Sequence, residues 1–138
     1  MQVAKIVEAN SGEYAEKGIL QSSTLNPCTS VGLLFEANGE GIRKGILTQY
    51  HYLRTKEHAR KIKTLVREHN LLDQKPIAII LYAKDFFTMG SKKNLATLEN
   101  LLVELFPPDP KIQEMPYSVD QPYKISIDLD QFAIRFAK

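Results

Sequence analysis

A cysteine and a histidine, the two side chains that can together carry acyl-transfer chemistry, stand at the ends of two neighbouring apolar runs. Cys28 is the only cysteine among the 138 residues, so no disulfide can form within the chain. It begins the run at residues 28–35, and His51 lies near the end of the run at residues 42–53. Residues 38–41 between them begin with Asn-Gly, a strong β-hairpin signal. With these four residues as the loop, Cys28 faces His51.

Directly opposed residues of an antiparallel pair project to the same face, with Cβ atoms roughly 5 Å apart. An imidazole at that distance takes the thiol proton, and the imidazolium then stabilises the thiolate. The backbone amides of Cys28 and Thr29 are expected to serve a developing oxyanion, whereas Pro27 lacks an N–H. The pairing therefore predicts the machinery of a cysteine hydrolase or amidase.

A third group is expected to orient the imidazole. Ser22, Ser23 and Thr24 lie just upstream of the cysteine and offer hydroxyls. Gln49 precedes His51 by two residues, on the same face of the predicted strand. Ser22, Ser23, Thr24 and Gln49 stay open as alternatives at this stage.

Structural interpretations stand beside the chemical ones. A lone cysteine at the start of a strand also fits a small buried apolar side chain. His51 fits an ordinary strand histidine, and His58 and His69, near opposite ends of a predicted helix, are expected to be caps or surface residues. No cluster of His, Asp and Glu has metal-ligand spacing, and no glycine loop suits a phosphate, so neither metal nor cofactor is expected.

Composition is that of an ordinary globular protein, with 43% hydrophobic and 25% charged residues in a length that suits one domain, residues 1–138. The net charge of +2 is too small to indicate a nucleic-acid partner. No apolar run approaches the roughly 20 residues of a membrane span, and the first residues show no signal core. The expected location is the cytoplasm, or a host cytosol reached through a specialised secretion system.

Periodicity and turn residues predict several strands, a helix, a strand, a second helix and a final hairpin. The predicted strands are residues 3–8, 18–22, 28–35, 42–53, 76–82, 124–128 and 132–136, with a turn at 10–12. The predicted helices are residues 56–70 and a segment from an N-cap at Ser91 to about residue 106. This order predicts an α+β fold: a mixed, largely antiparallel, layered sheet flanked by two main helices.

The segment Leu25-Asn26-Pro27-Cys28-Thr29 resembles the nucleophile segment of the cysteine-dependent glutamine deamidases. These include the CheD chemoreceptor deamidases and the catalytic domain of the cytotoxic necrotizing factor toxins. Three further segments and the final hairpin resemble CheD in the same order along the chain. They are Gly12-Glu13-Tyr14-Ala15, Lys44-Gly45-Ile46-Leu47 with His51, and Met89-Gly90-Ser91-Lys92-Lys93-Asn94.

The resemblance implies a CheD-like fold in which Cys28 is the nucleophile, His51 the base, and Ser22 takes the place of a histidine-positioning threonine. It implies deamidation of an exposed glutamine on another protein, in chemotaxis or by a toxin-like effector, without a cofactor. Thr24, Thr29 and Gln49 are the expected substrate and oxyanion contacts. Transglutamination is open too, as the same acyl-enzyme accepts an amine. The alternative is a non-catalytic protein-binding module of the same fold, in which Cys28 is structural.

Overall fold

The computed structural model describes residues 4–25, 27–36, 43–84, 89–108, 110–118, 120–121 and 123–137. It has the predicted α+β architecture. Its strands are β1 (Ala4–Val7), β2 (Ser11–Ala15), β3 (Ile19–Ser22), β4 (Cys28–Glu36), β5 (Arg43–His51), β6 (Ile77–Ala83), β7 (Lys111–Tyr117), β8 (Lys124–Asp128) and β9 (Ala133–Ala137). Its helices are α1 (Thr55–Glu68) and α2 (Met89–Leu105).

The strands form two sheets. The five-stranded sheet has the order β2-β5-β4-β6-β7, and only its β6–β7 pair is parallel. The four-stranded sheet has the order β1-β3-β8-β9, and only its β1–β3 pair is parallel. Both sheets are therefore mixed and largely antiparallel, as the order of predicted elements indicated.

Strand β4 separates two apolar cores because successive side chains point to opposite faces of a sheet. The helix-side core contains alternate residues of β4, Val31, Leu33 and Phe35, packed with the buried stripes of both helices. The buried stripe of α2 consists of Leu95, Leu98, Leu101, Leu102 and Leu105. The intersheet core lies between the two sheets and contains Cys28, Leu34, Leu47, Leu81, Tyr117, Ile125 and Ile127, among others. The molecule is thus layered as helices, five-stranded sheet and four-stranded sheet.

The two sheets approach each other closely above Gly32 of β4. A Cβ placed there would lie 3.0 Å from Ile79 Cγ2 and 3.2 Å from Ile127 Cδ1, which is tighter than ordinary van der Waals contact. A residue without a side chain therefore lets β8 pack directly over the middle of β4.

Several predicted boundaries were wrong. Ser11 and Gly12, predicted as part of a turn, begin strand β2, which pairs with β5. Helix α2 begins at Met89, so Ser91 lies inside its first turn and is not the N-cap. Strand β7 was not predicted, because all its residues except the last are exposed or half-buried and leave no apolar alternation to detect. The predicted loop at residues 38–41 lies outside the described residues.

Within the described ranges, neither helix is long and apolar enough to cross a membrane.

Candidate active site

Cys28 and His51 are directly opposed in the β4–β5 ladder, in the predicted register. The next pair outward is joined by a hydrogen bond from the Tyr52 amide to the Pro27 carbonyl, 3.3 Å long. Because hydrogen-bonded and non-hydrogen-bonded pairs alternate, Cys28 and His51 form a non-hydrogen-bonded pair. Such pairs bring Cα atoms to about 4.5 Å, the closer of the two spacings. The hairpin therefore holds the two backbones as near as an antiparallel sheet allows.

The Cys28 side chain points into the intersheet core. The residue is 5% exposed and packs among the apolar side chains of that core, which include Leu81 and Tyr117. Its sulfur makes no hydrogen bond to His51 within the described residues. The thiol therefore faces the apolar layer between the sheets, at the beginning of β4.

The His51 imidazole is directed toward the turn that leads into α1. Its Nδ1 accepts a hydrogen bond of 3.2 Å from the Leu53 amide, and the ring stacks on Tyr52 with centroids 4.7 Å apart. The His51 amide donates to Asn10 Oδ1 at 3.1 Å. Because Nδ1 accepts, the neutral ring carries its proton on Nε2. The ring must therefore leave the Leu53 amide before Nδ1 can take a proton from the thiol.

The structure separates the four candidates for the third group. Ser23 Oγ donates to Gln49 Oε1 at 3.2 Å, and Gln49 is 1% exposed. Ser22 is equally buried, and its Oγ accepts from the Ile125 amide at 3.0 Å. Thr24 is exposed. Ser23 and Gln49 thus form a hydrogen-bonded pair, in which Gln49 lies two residues before His51 in β5, whereas Ser22 is bound to β8.

The backbone of Cys28 is held by the side chain of Tyr117, the last residue of β7. Tyr117 Oη accepts from the Cys28 amide at 3.0 Å and donates to the Cys28 carbonyl at 2.7 Å. The amide expected to serve an oxyanion is therefore engaged. By the alternation of the ladder, the amide of Thr29 is directed at Tyr50 in β5. No local signal reveals the Tyr117 contact, because it joins positions 89 apart in the chain.

His58 was expected to be a cap or a surface residue, and this was wrong. It is 1% exposed, its Nε2 lies 2.6 Å from Thr48 Oγ1, and its ring stacks on Tyr50 at 4.9 Å. Thr48 Oγ1 donates to the Val31 carbonyl, so it accepts the Nε2 proton of His58. Burial lowers the pKa of the His58 imidazole from 6.5 to about 3.

This second histidine lies outside the Cys28 site. Thr48 and Tyr50 alternate with Gln49 and His51 along β5, so they point to the helix side of the sheet. His69 is the C-cap of α1 and stacks on Tyr14 at 3.6 Å, in agreement with its expected capping position. The sequence did carry a signal for the burial of His58: its spacing from Ile62 and Leu65 puts the three residues on one face of a helix.

Across the described parts of the chain, no three His, Cys, Asp or Glu side chains lie close enough to hold a metal ion. A scan against protein-family models matches no family, and a search of curated proteins finds no match.

Proposed function

We propose that this chain is a cysteine-dependent amidohydrolase that converts a glutamine side chain of another protein to glutamate. The observation that carries the proposal is the direct opposition of Cys28 and His51 on the intersheet face of the β4–β5 hairpin. The layered α+β fold and the order of its segments support a relationship to the CheD-like deamidases. Ser23 and Gln49 form a hydrogen-bonded pair on the face of β5 that His51 shares.

The reaction would begin when the His51 ring leaves the Leu53 amide and turns toward the sulfur. The Cys28 proton then moves to the imidazole, and the thiolate attacks the Cδ atom of the target glutamine. The C–N bond breaks as the imidazolium gives its proton to the departing nitrogen, which leaves as ammonia. Water, deprotonated by His51, attacks the thioester, and the C–S bond breaks to release the target protein with a glutamate side chain. The imidazolium returns its proton to the Cys28 sulfur. An amine in place of water would give transglutamination.

The substrate would be an exposed glutamine of a partner protein, because a side-chain amide has to reach a sulfur that lies between two sheets. The proposed setting is chemotaxis or a toxin-like effector, in the cytoplasm or in a host cytosol. These assignments depend on the resemblance of the cysteine segment.

A non-catalytic binding module is the second candidate, and the closed state of the site favours it. Cys28 is 5% exposed, and the His51 ring is held by Leu53 and Tyr52. In that case the sulfur fills the intersheet core as a small apolar group.

Thiol labelling separates the two candidates. Cys28 is the only cysteine, so all iodoacetamide incorporation reports on it. An enzyme should be alkylated well below about pH 8.5, where an ordinary thiol is mostly protonated, and His51→Ala should slow the reaction at least tenfold. His69→Ala is the matched control and should label like the wild type. Labelling that appears only above that pH and ignores His51 supports the binding module.

Activity is tested by incubating candidate target proteins with the wild type and with Cys28→Ser. Deamidation adds about 1 Da at a glutamine and releases ammonia, both detectable without knowledge of the site. An added primary amine tests for transglutamination in the same samples. If the protein reacts as an activated thiol, targets that change with the wild type and stay unchanged with Cys28→Ser are its substrates.

A further inference from the structure

The Cys28 backbone lies at a place where the five-stranded sheet is incomplete. In a non-hydrogen-bonded pair, the amide and carbonyl point away from the partner strand, so those of Cys28 point away from β5 and toward β6. The β4–β6 ladder, however, ends at the pair Ser30–Leu81. The Cys28 amide and carbonyl therefore lie beyond the last pair of that ladder, and being buried they need another partner.

Tyr117 supplies that partner from the next strand along. It is the last residue of β7 and pairs with Ala83, the last residue of β6. From there its side chain passes the end of β6 and places Oη against both polar groups of the Cys28 backbone, at 3.0 and 2.7 Å. Ala83 belongs to the same core as Tyr117, and its small side chain leaves room for the ring. Tyr117 is 1% exposed, so the contact lies away from solvent.

We propose that Tyr117 is the positioning residue of the nucleophile: its hydroxyl fixes the Cys28 backbone so that the thiol stays opposite His51. This inference rests on the proposed function, because it concerns the reactivity of the same thiol. Without the hydroxyl, the first residues of β4 keep their ladder only on the β5 side. The sulfur then moves within the intersheet core, and the fraction of time that it spends beside the imidazole falls.

Tyr117→Phe removes the two hydrogen bonds and keeps the ring. Tyr123→Phe is the matched control, because its ring lies edge-on to that of Tyr117 at 6.5 Å and, among the described residues, its hydroxyl makes no hydrogen bond to Cys28. We expect Tyr117→Phe to speed hydrogen exchange of the Cys28 amide by about fivefold, the factor that one lost neutral hydrogen bond supplies. The amide of His51, bonded to Asn10, should exchange at its original rate.

The second measurement is a double-mutant cycle on the alkylation rate. His51→Ala is compared with wild type, and Tyr117→Phe/His51→Ala with Tyr117→Phe. A positioning role predicts that the effect of His51→Ala shrinks by about tenfold in the Tyr117→Phe background and stays the same in the Tyr123→Phe background. General destabilisation would change accessibility in both members of each pair and leave the ratio unchanged.

The outcomes separate the two proposals. An unchanged exchange rate at the Cys28 amide, or an unchanged His51 effect in Tyr117→Phe, overturns the positioning role and leaves the proposed enzyme intact. If His51→Ala has no effect on the wild-type alkylation rate, the enzyme proposal fails, and the positioning role fails with it. Faster exchange together with loss of the His51 effect, in Tyr117→Phe alone, supports both.

Discussion

The buried histidine of α1 makes the stability of this protein sensitive to acid. His58 donates its Nε2 proton to Thr48 and stacks on Tyr50 at the helix side of the five-stranded sheet. The perturbation we consider is His58→Gln, because the glutamine amide nitrogen reaches a position similar to that of Nε2 and cannot titrate. The variant loses the stacking on Tyr50, which lowers its stability by the same amount at every pH. Only the pH dependence therefore distinguishes the two proteins.

The size of the effect follows from the two pKa values of the histidine. Burial places the pKa of His58 at about 3 in the folded protein, whereas the unfolded chain has the ordinary value of 6.5. Between these values the unfolded state is protonated and the folded state is not, so acid favours unfolding. The contribution of neutral His58 to the unfolding free energy is therefore complete above pH 6.5 and is lost as the pH falls toward 3. Between pH 7 and about 4.5 it decreases by roughly 2.5 kcal/mol.

Urea unfolding at the two pH values measures this loss directly. The wild type should lose about 2.5 kcal/mol more unfolding free energy than His58→Gln over this interval. Other titrating groups, Glu99 among them, are present in both proteins and cancel in the comparison. His69→Gln, at the end of the same helix, shows how much of the difference any histidine replacement produces. Parallel pH profiles for wild type and His58→Gln would refute the reasoning.

Three further predictions concern the sheets and the second helix. Asp128→Asn should lower the unfolding free energy by about 1–2 kcal/mol in urea melts, because the carboxylate binds Arg135 at 2.6 Å and two amides of the β8–β9 turn. The same contacts lower the pKa of Asp128, so the stability that its carboxylate contributes is lost as the pH falls through that lowered value. An Asp128→Asn variant as stable as the wild type at neutral pH would contradict the predicted stabilisation. A hydrogen bond to the neighbouring glutamate of β7 raises the pKa of Glu99 to about 7. The wild type should therefore lose unfolding free energy, below about 1 kcal/mol after solvent screening, as the pH rises from 4.5 through 7. Glu99→Gln should not show this loss; a pH profile identical to that of the wild type would exclude this role of Glu99. Gly32→Ala should cost about 1–3 kcal/mol in thermal or urea unfolding, because the new methyl group lies 3.0 Å from Ile79 Cγ2 and 3.2 Å from Ile127 Cδ1; a neutral substitution would mean that these two side chains move aside at little cost.

The register of the β4–β5 hairpin could be predicted because it is a local property. The Asn-Gly turn signal in the sequence and two apolar runs leave few pairings that bury the same face. The helices could be predicted for the same reason, since their buried stripes recur at helical spacing within a few turns. These local signals placed Cys28 opposite His51.

The remaining details depend on contacts between distant parts of the chain. Strands β2 and β7 lie at the two edges of the five-stranded sheet, and their mixed polarity carries little pattern. The direction of the His51 ring depends on the turn before α1, where the Leu53 amide competes for Nδ1. Side-chain partners such as Tyr117 depend on which strands become neighbours, which only the tertiary fold decides.

The hydrogen bonds between Tyr117 and the Cys28 backbone also affect the order in which this protein is completed during synthesis. Cys28 and His51 leave the ribosome close together and can pair as a hairpin as soon as both have emerged. The residue that closes the open side of β4 comes 89 positions after the cysteine, once β6, α2 and β7 have been made. Local hairpins form before such distant contacts, whose loop-closure cost is higher. A nascent chain that ends before β7 would therefore carry the proposed catalytic pair without the Tyr117 contact to the Cys28 backbone.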